Sequence, residues 1–168
     1  MASALELVMG KDSAGVALSA SLMATVAVTV NTVRKNLRDF PRFNELVREE
    51  LSDEEIADCI LDMIAEFNGL PPFFSQFGPQ DFPDRKLLQD KAVAECIERL
   101  FLWHARNQFS ASDSGLQVPI HEQWQPLMQI STMMDQRNDK KCDRLKAMLN
   151  ISNGFGGGVG SPIGLGGY

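Results

Sequence analysis

The stretch LSDEEIADCILDMIAEFNGLPP, Leu51 to Pro72, states both its own start and its own stop, and the rest of the chain must accommodate it. Ser52 followed by Glu55 is a reciprocal capping box, satisfying two backbone N–H groups that a helix start leaves open. Leu51 before the cap and Ile56 after it can close a hydrophobic staple. Ile56, Ile60, Met63, Ile64 and Phe67 then recur at helical spacing, giving one apolar face. Asn68-Gly69 predicts a left-handed stop, and Pro71-Pro72 forbids continuation. The opposite face carries Asp58, Asp62 and Glu66. From Glu49 to Glu66 there are eight carboxylates and no basic residue. Like charges at this spacing repel by about 0.2–0.5 kcal/mol per pair, so water or a basic neighbour must meet them.

At 168 residues the chain suits one domain with a real core. A net charge of −6 argues against gripping nucleic-acid phosphates as the main task. It is compatible with an acidic wall along which DNA slides without sticking. Cys59, Cys96 and Cys142 are far apart and odd in number, with no zinc spacing, and read as buried free thiols of a chain made in the cytosol.

Ala14 to Val33 is twenty residues without a charge. That length can cross a bilayer, but Ser19, Ser21, Thr25, Thr29, Asn31 and Thr32 dilute it. A signal peptide fits poorly because Glu6 precedes the apolar run. Thr25–Val30 alternates small or polar residues with Val26, Val28 and Val30, which is strand chemistry. No second good strand follows, so this one is expected to pair with an edge on another chain.

A short basic helix capped by Asn31 or Thr32 is expected next, with Arg34, Lys35, Arg38, Arg42 and Arg48 in its neighbourhood. Phe73 to Phe82 holds four phenylalanines in ten residues, too many for a solvated loop. A central helix is predicted from about Asp84 to Asn107, with apolar residues all round its second half. After a turn-rich loop the last helix is expected from about Ile120 to Leu149, kinked or restarted at Pro126. Its apolar face is Leu127, Ile130, Met134, Cys142, Leu145 and Met148-Leu149, with Arg137, Lys140, Lys141, Arg144 and Lys146 outside. The tail from Ile151 has eight glycines in eighteen residues and no charge. Alone it cannot offset its chain entropy; in a grooved partner Phe155, Val159, Ile163, Leu165 and Tyr168 would fill pockets.

His104 and His121 are the only ready general bases near neutral pH, and neither stands beside a nucleophile in a familiar pattern. The Asp58/Asp62/Glu66 ladder lacks the histidine that helical carboxylate metal sites use. The tail glycines are not a phosphate loop. No catalytic, cofactor-binding or metal residue is assigned, and the chain does not read as an enzyme.

The fold class expected is mainly α: a bundle of three principal helices plus a short N-terminal one, with an extended arm at each end. The division is residues 1–30 as an N-terminal arm with one strand, 31–150 as the helical domain, and 151–168 as a Gly-rich arm.

The order of the pieces carries a resemblance. An Arg-rich segment closing on Asp39-Phe40-Pro41, with Asn44 and Leu46, precedes a capped acidic helix ending Phe67-Asn68-Gly69-Leu70-Pro71-Pro72. Phe82, Pro83, Leu87 and Leu88 then open a long helix ending Arg106-Asn107, and a last helix closes on Lys146 to Asn150. This resembles the head-to-tail connector or adaptor proteins of tailed bacteriophages. The resemblance implies a virion protein assembled in the host cytoplasm, forming a ring, commonly twelvefold, at the head–tail junction. Its partners would be copies of itself, the portal protein and a downstream neck or tail protein. DNA would pass through the channel without sequence-specific binding, with no membrane and no cofactor. On this reading Val26, Val28, Val30, Asp58, Asp62, Glu66 and the five tail residues meet partners, the acids meeting Arg34–Arg48 or Arg137–Lys146 of a neighbouring copy. The alternatives are a neck or baseplate component elsewhere in the tail, or a membrane-anchored helical protein with Ala14–Val33 as its span.

Overall fold

The computed structural model describes residues 2–41, 49–73, 76–106 and 121–152, with 104–106 and 121–127 described by backbone alone. Within them lie α1 (Ala4–Met9), α2 (Ala20–Met23), α3 (Val30–Leu37), α4 (Asp53–Gly69), α5 (Arg85–Arg106) and α6 (His121–Ser152). The mainly helical class expected from sequence is the one observed. The centre is α5, which packs against α3, α4 and α6, while α1 closes over α3 and α4.

The first thirty residues are not an arm extended away from the domain. Ser3 and Glu6 form a capping box on α1, which buries Leu7 and Val8. Gly10 turns the chain with φ 73°, and Asp12 Oδ1 accepts from the Ala14 and Val16 amides to hold a tight loop. The uncharged twenty-residue run is thereby cut into a bridged loop, the single turn of α2, a valine segment and α3. Among the described residues no helix is long and apolar enough to cross a membrane.

The strand expected over Thr25–Val30 does not form. Val26 and Val28 lie in irregular backbone and Val30 begins α3, all three buried in this chain's own interior. The alternation marked correctly which side chains are buried. It could not say what buries them. The loop after α4 supplies the backbone partner: the Ala27 amide donates to Pro79 O at 2.8 Å, and Gln80 Nε2 to Thr25 Oγ1 at 3.0 Å.

Helix α4 starts as its sequence dictates, with both arms of the Ser52/Glu55 box made and Leu51 buried beneath. Its stop differs from expectation. Gly69 is helical, and the cap is Leu70 at φ −78°, ψ 135°. Leu70 precedes Pro71, whose ring excludes the helical region for the residue before it, so the proline ends the helix unaided. Asn68 clamps the following loop instead, donating to Phe77 O and accepting from the Phe77 amide, each at 2.9 Å. That seats Phe77 and Phe82 around Phe67, with ring centroids 5.9 and 5.0 Å from it.

Asp84 Oδ1 accepts from the amides of Lys86 and Leu87 at the start of α5. Burial is concentrated in the first half of this helix (Leu87, Leu88, Ala92, Val93, Ala94, Cys96), whereas Leu102 and Trp103 near its end are exposed. The expectation of an all-round buried second half is therefore reversed. Helix α6 is continuous through Pro126. Its inward face buries Ser131, Asn138, Cys142 and Lys146, with Met134, Leu145 and Leu149 half-buried beside them. Ile130 and Met148, expected there, face out.

Candidate functional site

The charges decide what this surface can do, and they fall into two groups. The first is consumed inside the fold. Arg38 adopts φ 58°, a left-handed cap that turns the chain after α3 and returns Asp39 beneath Arg34. Arg34 Nη1 donates to Asp39 Oδ2 at 2.9 Å, and Nη2 to Leu51 O at 2.9 Å and Asp53 Oδ1 at 2.8 Å. Asp39 in turn accepts from the Glu50 and Leu51 amides, at 2.8 and 3.1 Å. A buried guanidinium thus ties α3 to the start of α4.

Lys91 does the same for α4, α5 and α6. Its ammonium lies 2.9 Å from Glu66 Oε1 and 3.1 Å from Asp139 Oδ1. Burial alone would pull Lys91 down, but the hydrogen bonds to Glu66 and Asp139 outweigh it and hold the ammonium above its ordinary value. Lys146, expected outside, is buried over the Phe67 ring, 4.5 Å from its centroid, and donates to Leu70 O at 2.9 Å. Burial shifts it below its ordinary value. Beside Lys91, burial pushes the Cys142 thiol up to about 11. Between α4 and α5 the Cys96 thiol is raised, first by its hydrogen bond to Cys59 and then by burial. All three cysteines are free and buried.

The Asp58/Asp62/Glu66 ladder divides accordingly. Asp62 pairs with Arg99 and Glu66 with Lys91, both on α5 of the same chain. The neighbour expected to meet these two acids is therefore this chain's own central helix. Asp58 is exposed, as is Glu54 one turn earlier, and neither forms an ion pair among the described residues. Because the ladder points to two separate cations, its carboxylates do not converge. Among the described residues no three His, Cys, Asp or Glu side chains are placed to hold a metal ion.

The second group lies on the outside. Arg137, Lys140 and Arg144 on α6 are exposed and form no ion pair among the described residues. Near the far end of the α5–α6 pair, Ile97, Phe101, Leu102 and Met128 wall a cleft of about 300 Å³. Glu98, Asp135 and Asp139 stand at its edge. Burial raises the Asp135 carboxyl; Glu98, Asp139 and Glu95 add to this, while Lys91 opposes it. Met128 and Met133 continue the apolar surface along α6, and Ile130 is exposed on its outer side.

Of the sequence-predicted contact residues, Val26, Val28 and Val30 are interior and cannot meet a partner in this fold. Phe155, Val159, Ile163, Leu165 and Tyr168 lie outside the described residues, as do the side chains of His104 and His121. Arg34, Lys91, Arg99 and Lys146 were missed as structural cations. For Lys91 a signal existed: it stands between Leu88 and Ala92, on the face that helical periodicity buries. Comparison of the chain with protein-family models, curated proteins and solved structures finds no match.

Proposed function

We propose that this chain is a structural subunit of a tailed-phage particle, one copy of a ring at the head–tail junction that joins the portal to the tail and surrounds the DNA passage. The observation that carries the reading is the exposed apolar end of the α5–α6 pair, where Leu102, Met128 and Met133 adjoin one another and are each 49–63 % exposed. A contiguous surface of this kind marks an interaction site rather than a finished exterior. The resemblance of the motif order to connector proteins is what points to this kind of assembly. In that assembly the uncharged tail, residues 153–168, reaches the portal or the adjacent ring. The acidic balance keeps DNA from adhering to the passage wall.

The test is the mass of the purified full-length chain by light scattering, alone and mixed with a portal protein, repeated after deletion of residues 154–168. The expected result is a multimer or a portal complex for the full chain. The deletion should keep the helical circular dichroism spectrum but lose portal attachment. A full-length chain that stays monomeric and ignores the portal overturns the reading.

A further inference from the structure

The basic side chains left over on α6 are not scattered. Ile130, Met133, Arg137, Lys140, Arg144, Met148 and Ile151 follow one another at three- and four-residue spacing, so they form a single stripe. The stripe faces away from the seam that holds Asn138 and Cys142. Its middle is basic and both its ends are apolar, with Met148 and Ile151 67 % and 70 % exposed.

The acids left over on α4 form the matching object. Glu54 and Asp58 are exposed and unpaired among the described residues, and Asp62 continues their row while reaching sideways to Arg99. Beyond Asp62 the exposed positions are Ala65 and Gly69, which carry almost no side chain, and Glu66, which turns aside to Lys91. Three basic positions over seven residues of α6 span about 10 Å, and three acidic positions over eight residues of α4 span about 12 Å. In either helix direction, aligning the two charge rows lays one apolar end of the α6 stripe over Ala65 and Gly69, where a second helix can approach closely.

We propose that the outer stripe of α6 docks onto α4 of a second copy of this chain, an inference that rests on the assembly reading above. The contact is heterologous: each copy offers its α6 to one neighbour and its α4 to another, the arrangement that closes into a ring when the rotation allows. Charge complementarity selects the occupant. Among the described residues the α6 bases and the α4 acids form no ion pair with each other within one chain, so both rows are available to a neighbour.

Two charge-reversed forms of the full-length chain test this. One carries Arg137→Glu, Lys140→Glu and Arg144→Glu; the other carries Glu54→Lys and Asp58→Lys. Sedimentation velocity at low and high salt reads self-association, and thermal unfolding checks that each form is folded. The wild type is expected to associate and to weaken at least about tenfold at high salt, as screened charge contacts do. Each variant alone should be monomeric where the wild type is assembled. An equimolar mixture should associate again, because every α4 row then finds an α6 row of opposite sign. If folded variants associate as well as wild type, or the mixture does not recover, this contact is wrong while the assembly reading stands. If the α6 variant loses affinity for a DNA oligonucleotide but keeps self-association, the stripe belongs to nucleic acid and the proposal fails. A wild type that never associates, alone or with a portal protein, removes both readings together.

Discussion

Replacing Arg34 by Met should be among the most destabilising single changes in this chain. Arg34 and Asp39 are each only 5 % exposed, so neither can recover a hydration shell when the other is lost. The substitution takes the guanidinium away from the buried Asp39 carboxylate and removes a donor from Leu51 O. Breaking a buried pair commonly costs about 3–5 kcal/mol, because the surviving charge stays uncompensated. Here the Glu50 and Leu51 amides still hold Asp39, and Asp53 is 41 % exposed and rehydrates. Those two facts bring the expected loss to about 2–4 kcal/mol. At this chain length that is roughly 4–16 °C in Tm. Arg34→Lys should lose about half as much, since an ammonium keeps the charge but not the fork that reaches Asp39, Leu51 and Asp53 together. Lys91→Met provides the contrast, because Glu66 and Asp139 are 44 % and 62 % exposed and no buried charge is orphaned. Its cost should stay within about 1 kcal/mol. Urea unfolding with a common m-value reads all three. If Arg34→Met and Lys91→Met cost the same, partner burial does not govern these nodes and the reasoning is wrong.

Asn138 is buried in the α5–α6 seam with its Nδ2 unpartnered among the described residues. Asn138→Leu keeps the branched shape and removes the orphan, so the urea midpoint should rise by the equivalent of about 1–3 kcal/mol; a lower midpoint would show that the amide is satisfied or that the larger side chain does not fit. Asp135 is an acid whose folded-state value is raised by burial. The folded protein therefore holds this proton longer than the unfolded chain, and the Asp135 contribution to stability falls as pH climbs above the ordinary carboxylate value. Asp135→Asn should flatten that part of the pH–stability curve and be more stable than wild type at neutral pH; a curve unchanged by the substitution contradicts the assignment.

Local chemistry was legible and long-range chemistry was not. The Ser52/Glu55 cap and the periodic face of α4 rest on residues within a few positions of one another and stand as the sequence implies, and of the phenylalanine loop Phe77 and Phe82 pack while Phe73 is exposed. The N-terminal segment was misread because alternation identifies a buried edge without identifying its cover. Strand pairing and insertion into a helical core bury the same three valines. The stop of α4 was assigned to Gly69 when Pro71 alone suffices, a case of two adequate signals and one operating. Periodicity puts Lys146 outside and leaves Arg34 and Lys91 without a buried role, because long charged side chains are seldom buried. Only the arrival of Asp39, of Glu66 and Asp139, and of the α4 C-terminus from elsewhere in the chain makes their burial affordable.

The same sorting explains what the surface can do. Helix α5 reaches across with Lys91 and Arg99 and neutralises the lower half of the acidic ladder, so that among the described residues Glu54 and Asp58 remain unpaired at its upper end. Two or three exposed ion pairs at about 0.2–1 kcal/mol each cannot hold an assembly together. The apolar ends of the α6 stripe and the bare α5–α6 end must supply most of the affinity, at about 25 cal/mol per Å² of apolar surface removed from water. Charge then has a different task, which is to fix the register in which those apolar surfaces meet and to speed the encounter. Reversing the charges should therefore act first on the association rate and on which copies pair. Trimming Met133, Met148 or Ile151 to Ala should act on how long the pair persists.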